Sequence, residues 1–246
     1  MASADAIAHA LDQLRLGRIS QALAGGAEAP ITPISIAAFC GAHVLGSNHV
    51  PYSKDRNGLI PGEGAAMLML ERHDRIQAHK KRVLAEIIGY SSGNQWLEKG
   101  VSFTDISSKG VTQAITSALA CAKIASREVG HVFTHATGTV KGDPMELRGI
   151  YDAWKGKHLP SISSVKSFTG HTFGASGAVS LALAVGSLVS GITPHTHGLT
   201  HDTIDPECVE LGFSFPIQAQ RLRTKVVMVL SHGFGGAYSC FILRQS

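Results

Sequence analysis

Three short segments of this 246-residue chain gather polar side chains and glycines in a way that suits chemistry. The first is His135-Ala-Thr-Gly-Thr139, followed by Gly142-Asp143-Pro144 and Glu146. The second is Lys166-Ser-Phe-Thr-Gly-His171, followed by Gly174-Ala-Ser-Gly177. The third is Ser231-His-Gly-Phe-Gly-Gly236. A positioned imidazole can donate a hydrogen bond to an oxygen that gains negative charge in a reaction. A buried lysine needs a carboxylate close by. Each segment alone is a weak signal, since lone histidines are usually structural and glycine-rich turns are common. Three in this order and spacing form a pattern.

Such groups must be carried by strand-to-helix junctions, where open α/β sheets build their sites. Apolar spacing predicts a helix over 6–16, with Ile7, Leu11 and Leu14 on one face and Gly17 as its stop. A short buried strand follows over 21–24, then an apolar helix over 34–44 and a loop over 49–61. Residues 64–70 read as a strand, 74–81 as a polar helix, 83–90 as a strand and 96–108 as irregular. An amphipathic helix over 110–123 precedes a strand over 129–134 that delivers His135. The next helix starts at Asp143-Pro144, with the proline near its first position, and runs to Trp154. A strand over 162–167, a small-residue helix over 174–190 and strands over 225–230 and 238–243 complete the chain. The alternation of apolar strands and helices is the α/β pattern.

Hydrophobic residues make up 44% and charged residues 16%, enough for a core and against disorder. The formal net charge is +4 without a long basic run, and the densest stretch is 79–82. That excludes nucleic acid as the expected partner and leaves room for a local patch facing an acidic carrier protein. Cysteines at 40, 121, 208 and 240 have no short spacing, so neither zinc nor a disulfide framework is expected, and a reducing cytoplasm fits. His195, His197 and His201 read as surface-loop histidines, and no metal is expected. The longest apolar run, 178–189, is too short to span a bilayer, and Met1-Ala-Ser-Ala-Asp5 lacks the charged start of a signal peptide.

The three segments resemble the His-Gly-Thr-Gly-Thr, Lys-Ser-x-x-Gly-His and Gly-Phe-Gly-Gly motifs of β-ketoacyl synthases. Ala24-Gly-Gly-Ala-Glu28, Asp55-Arg-Asn-Gly58, Gly62-Glu-Gly-Ala65 and Leu70-Glu71 match as well, so the resemblance covers nearly the whole chain. It implies a thiolase-like α/β fold, with 1–82 as an incomplete N-terminal half and 83–246 as a complete C-terminal half. It implies that His135 and His171 stabilise a thioester oxygen, and that Lys166 pairs with Glu146. Thr137, Thr139, Phe234, Gly235 and Gly236 would line a pantetheine tunnel, with Phe234 as its gate. The other reading of His135, Glu146, Lys166 and His171 is a core network inherited as structure.

Counting back from Gly25-Gly26 places the family's nucleophilic cysteine one position before Met1, so no nucleophile is expected within the chain. The early strands of the first half are also missing, leaving a sheet edge to be covered. Ala136, Leu230 and His232 depart from the family pattern. The resemblance thus implies a subunit like a chain-length factor, cytoplasmic, in a heterodimer with a full-length ketosynthase of a type II polyketide, fatty acid or aryl polyene system. Its other partner would be an acyl carrier protein, which brings the phosphopantetheine, so that no cofactor of its own is expected. Two alternatives are the C-terminal half of a split ketosynthase and a decarboxylase acting on malonyl-carrier.

Overall fold

The computed structural model describes residues 1–79, 82–95 and 106–246. The irregular segment expected over 96–108 lies largely outside them, as do Lys80 and Lys81 of the basic run. The first part of the chain forms α1 (Ala2–Arg15), β1 (Gln21–Glu28), α2 (Pro33–Gly41), β2 (Gly64–Glu71) and α3 (His73–His79). β1 and β2 pair as an antiparallel ribbon, with Leu23 opposite Met69 and Gly25 opposite Met67.

The rest forms β3 (Ala85–Asn94), α4 (Ser108–Ala122), β4 (His131–Phe133), α5 (Gly142–Trp154) and β5 (Ser161–Ser163). It continues with α6 (Lys166–Thr169), α7 (Ser176–Ser190), β6 (Ile192–Thr193), α8 (Pro206–Glu210), β7 (Gln220–Arg221), β8 (Val226–Gly233) and β9 (Ala237–Gln245). Five strands make a mixed sheet in the order β3-β9-β8-β4-β5. β4 lies parallel to β5 and β8, while β9 runs antiparallel to β3 and β8.

β8 shows why this sheet is central. Its Val-Val-Met-Val-Leu run is buried throughout, which a strand covered on both faces requires. Val226, Met228 and Leu230 join Ile115, Leu147, Ile150 and Trp154 of α4 and α5. Val227 and Val229 join Ile7, Ala8, Leu181 and Leu188 of α1 and α7 on the other face. Each such side chain contributes roughly 1.5–3 kcal/mol. The seat of α1 on α7 depends on small residues. A Cβ at Gly177 would come within 2.8 Å of the Ala4 Cβ, and Ser3 Oγ accepts the Ala178 N–H at 3.1 Å.

Three expectations change. α1 begins at Ala2, four residues earlier than the apolar spacing alone indicates. The strand expected over 162–167 ends at Ser163, and Lys166 starts a helical turn instead. Ser164 draws the chain out of the sheet: its N–H donates to Thr196 Oγ1 at 3.1 Å and its hydroxyl donates to the Ala136 carbonyl at 2.7 Å. A 3-10 turn at Phe173–Ala175 lengthens the apolar helix, so Phe173–Ser190 makes 18 residues of mean hydropathy 1.6, long enough to cross a membrane. Half of that stretch is buried inside the fold against the sheet and α1.

The inner face of the β1–β2 ribbon, with Ala24, Leu68 and Leu70, packs into the same core as α1 and α7. Its outer face is apolar and uncovered: Leu23 is 62%, Met67 52% and Met69 62% exposed. α2 beside it buries none of its residues, and Ile34 is 84% exposed.

Candidate active site

The carboxyl ends of β4, β5 and β8 deliver the three sequence segments to one place, because these strands are neighbours in the sheet. The loop after β4 is held by the first turn of α5. Asp143 and Glu146 are three residues apart there, so both carboxylates face the same loop. Glu146 accepts the N–H groups of His135 at 2.7 Å and Ala136 at 2.8 Å. Asp143 accepts those of Thr137 and Gly138, both at 3.2 Å, and of Tyr52 at 3.0 Å. Gly138 takes φ +78, a left-handed conformation that suits glycine. Ala136 needs no positive φ, so the methyl that replaces the expected glycine causes no strain.

Arg56 locks the same loop from outside. It is buried and donates to the carbonyls of Ser53 at 2.8 Å, Thr139 at 3.1 Å and Val140 at 2.8 Å. Its charge is met by Asp205, and Asp143 lies 3.7 Å away. Burial pushes Asp143 up to about 7, against the pull of these donors. The Lys166 turn is tied down by His49, whose Nε2 donates to the Lys166 carbonyl at 2.9 Å.

A cavity of about 380 Å³ opens above these loops. His135 and His171 line it, their ring centroids 5.3 Å apart and their planes nearly perpendicular. Nδ1 of each ring is buried, which leaves Nε2 as the nitrogen turned to the cavity. Burial holds both imidazoles well below their usual pKa, and Lys166 lowers them further. Both rings are therefore neutral at pH 7 and able to donate one hydrogen bond each. His171 is also stacked on Phe173 at 4.5 Å, and Phe173 on Phe39 of α2.

Lys166 and Glu146 stand behind the histidines, fully buried. The expected pairing of the two is electrostatic and not a contact. Lys166 Nζ has no hydrogen-bond partner among the described residues, and both Glu146 oxygens accept backbone amides. Burial lowers Lys166 to about 8, with Glu146 and then Asp143 opposing.

Thr137, Thr139 and Phe234 line the cavity, whereas Gly235 and Gly236 form the turn behind Phe234. No cysteine lines it. Cys208 and Cys240 are buried, and burial pushes the Cys208 thiol up to about 12. Cys40 and Cys121 are exposed on α2 and α4. The N-terminal end of α1, with Met1 as its cap, borders the cavity beside Gly233. Among the described residues no group of three or more side chains is placed to hold a metal ion. Sequence reasoning missed His49 and Tyr52, and gave His232 no role although it lines the cavity. The Asp-x-x-Glu spacing at the start of a helix was the available signal for Asp143.

A mixed sheet with two neutral histidines meeting beyond the carboxyl ends of its neighbouring strands β4 and β5 defines a thiolase-like ketosynthase fold. The chain belongs to the β-ketoacyl synthase family: the family's N-terminal domain matches residues 2–75 and its C-terminal domain residues 84–200. The chain is 30% identical to a 3-oxoacyl-[acyl-carrier-protein] synthase 2 of Vibrio harveyi, over 97% of its own length and 58% of that protein's. It is 30% identical to the actinorhodin polyketide putative beta-ketoacyl synthase 1 of Streptomyces coelicolor, over 98% and 52% respectively. The chain thus spans a little over half the length of these relatives. Among solved structures, the ishigamide ketosynthase/chain length factor superposes with a TM-score of 0.90 at 28% identity, covering 100% of this chain and 59% of the other. A type II polyketide synthase acyl-carrier protein in complex with its ketosynthase gives the same TM-score and identity, over 99% and 60%.

Proposed function

We propose that the chain is a ketosynthase-like subunit of a type II polyketide or fatty acid system. It works beside a cysteine-bearing β-ketoacyl synthase, in the manner of a chain-length factor, in decarboxylative condensation of malonyl groups carried on an acyl carrier protein. The observation that carries this reading is a cavity lined by two neutral imidazoles but no thiol. Condensation needs a thiolate, so the nucleophile must come from elsewhere. Loss of CO2 from a malonyl thioester needs only an oxygen-stabilising pair, and His135 and His171 are suited to that step. Thr137 and Thr139 would guide the pantetheine arm to them.

The uncovered face of Leu23, Met67 and Met69 supports a partner subunit, since an apolar patch of this kind usually marks an interaction surface. Co-expression with a full-length ketosynthase and size-exclusion chromatography test this. A stable complex is expected. A chain that stays monomeric beside every ketosynthase of its own system sinks the partner role.

A second reading makes this chain the histidine-bearing half of a split ketosynthase, completed by a cysteine on its partner. The nitrogens turned to the cavity favour it, because a subunit that only shaped an acyl tunnel would not need them. The partner separates the two readings: the first needs a full-length ketosynthase, whereas the second predicts condensation when this chain is mixed with a partner that brings the cysteine but no histidine pair of its own.

A further inference from the structure

We propose that His232 is a third working imidazole of the cavity, which holds a proton against Glu146 and gives it to a carbanion formed by decarboxylation. His232 stands near the end of β8, is 7% exposed and lines the cavity. Its ring lies 5.5 Å from that of His135, at 86°. Its Nε2 is buried, has no hydrogen-bond partner among the described residues, and lies 3.5 Å from Glu146 Oε1. With Nε2 facing the carboxylate, Nδ1 is the nitrogen left to face the cavity. A carboxylate thus stands close to one ring nitrogen, while the opposite nitrogen is left to transfer a proton. Glu146 of α5 and His135 after β4 stand against its ring, and Lys166 of α6, His171 and the α-amine of Met1 act on His135 beside it.

This inference rests on the ketosynthase reading for its substrate, a malonyl-type thioester. The bond between the α-carbon and the carboxylate breaks, CO2 leaves, and the electron pair delocalises into the thioester carbonyl. His135 and His171 hold the enolate oxygen. The α-carbon then takes the proton from Nδ1 of the His232 imidazolium, giving the acetyl thioester, and water reprotonates the ring. A site built in this way discharges its carbanion by protonation and does not depend on an acyl acceptor.

Two measurements test the proposal on the full chain. Acetyl thioester formation from malonyl-pantetheine is followed by mass spectrometry at pH 7. His232→Phe and His232→Gln are expected to slow it by roughly ten- to a hundredfold. Histidine ring nitrogen NMR at pH 7, assigned with the same variants, is expected to show the His232 Nε2 shift changing in Glu146→Gln. An unchanged rate in His232→Phe overturns the proposal. So does a His232 Nε2 shift that ignores Glu146, whatever the activity. A wild-type chain that shows the Glu146-dependent shift yet releases no acetyl thioester counts against the malonyl reading and leaves the imidazole–carboxylate pair standing.

Discussion

Arg56 satisfies three carbonyls and two carboxylates from a buried position, and no other side chain of similar reach can replace it. Removing one member of a buried ionic cluster leaves the others uncompensated, so Arg56→Ala should cost about 3 kcal/mol in urea unfolding. It should also loosen Thr137–Val140 at the cavity rim. Lys166 gives a pH test. Its folded pKa is about 8, below the unfolded value of 10.5. The unfolded state therefore holds more protons between those values, and the cost of the buried charge is relieved as pH rises through 8. Between pH 7.5 and 9.5 the stability of the wild type relative to Lys166→Met should rise, by roughly 1–2 kcal/mol. Urea titrations at the two pH values measure this, and a constant difference would place Lys166 outside the buried cluster. Of these residues, His135, Glu146, Lys166 and His171 were legible because their segments are short and dense. His49 was not: it reaches a carbonyl 117 positions away, and nothing local in the sequence marks that contact.

At the scale of elements, long periodic segments were readable and short ones were not. The buried run of β8 and the helices α4, α5 and α7 follow directly from apolar spacing. β5 was overextended because Ile162 and Val165 are apolar in a strand-like stretch, while the side-chain bonds of Ser164 end the strand at Ser163. The contact between α1 and α7 has a direct test. Gly177→Leu would drive a side chain into Ala4 and lift α1 from its seat. The expected cost is about 1–3 kcal/mol, read by thermal unfolding, together with faster proteolysis around 1–20. Unchanged protection there would mean that α1 is held by its other contacts alone.

For the whole molecule, the two faces of the β1–β2 ribbon decide behaviour in solution. The inner face closes the core, and the outer face displays Leu23, Met67 and Met69. Leu23→Lys with Met69→Lys should leave the unfolding midpoint of the isolated chain nearly unchanged, since both side chains are already exposed. The same pair should abolish co-purification with a ketosynthase partner; survival of the complex would move the interface elsewhere. The family and the α/β architecture were legible from the motifs alone, and the resemblance implied a sheet edge to be covered; that the uncovered surface is the ribbon face of Leu23, Met67 and Met69 was not legible, because it depends on how β1 and β2 pair.

The most direct measurement is condensation by the assembled complex of this chain, a cysteine-bearing ketosynthase and malonyl-acyl carrier protein, with His135→Ala placed in this chain only. If its histidines stabilise the thioester oxygen, the rate falls by about a hundredfold or more while the complex still forms. Full activity in that variant would show that the cavity of His135 and His171 does no chemistry, and that the chain serves its partner by shape alone.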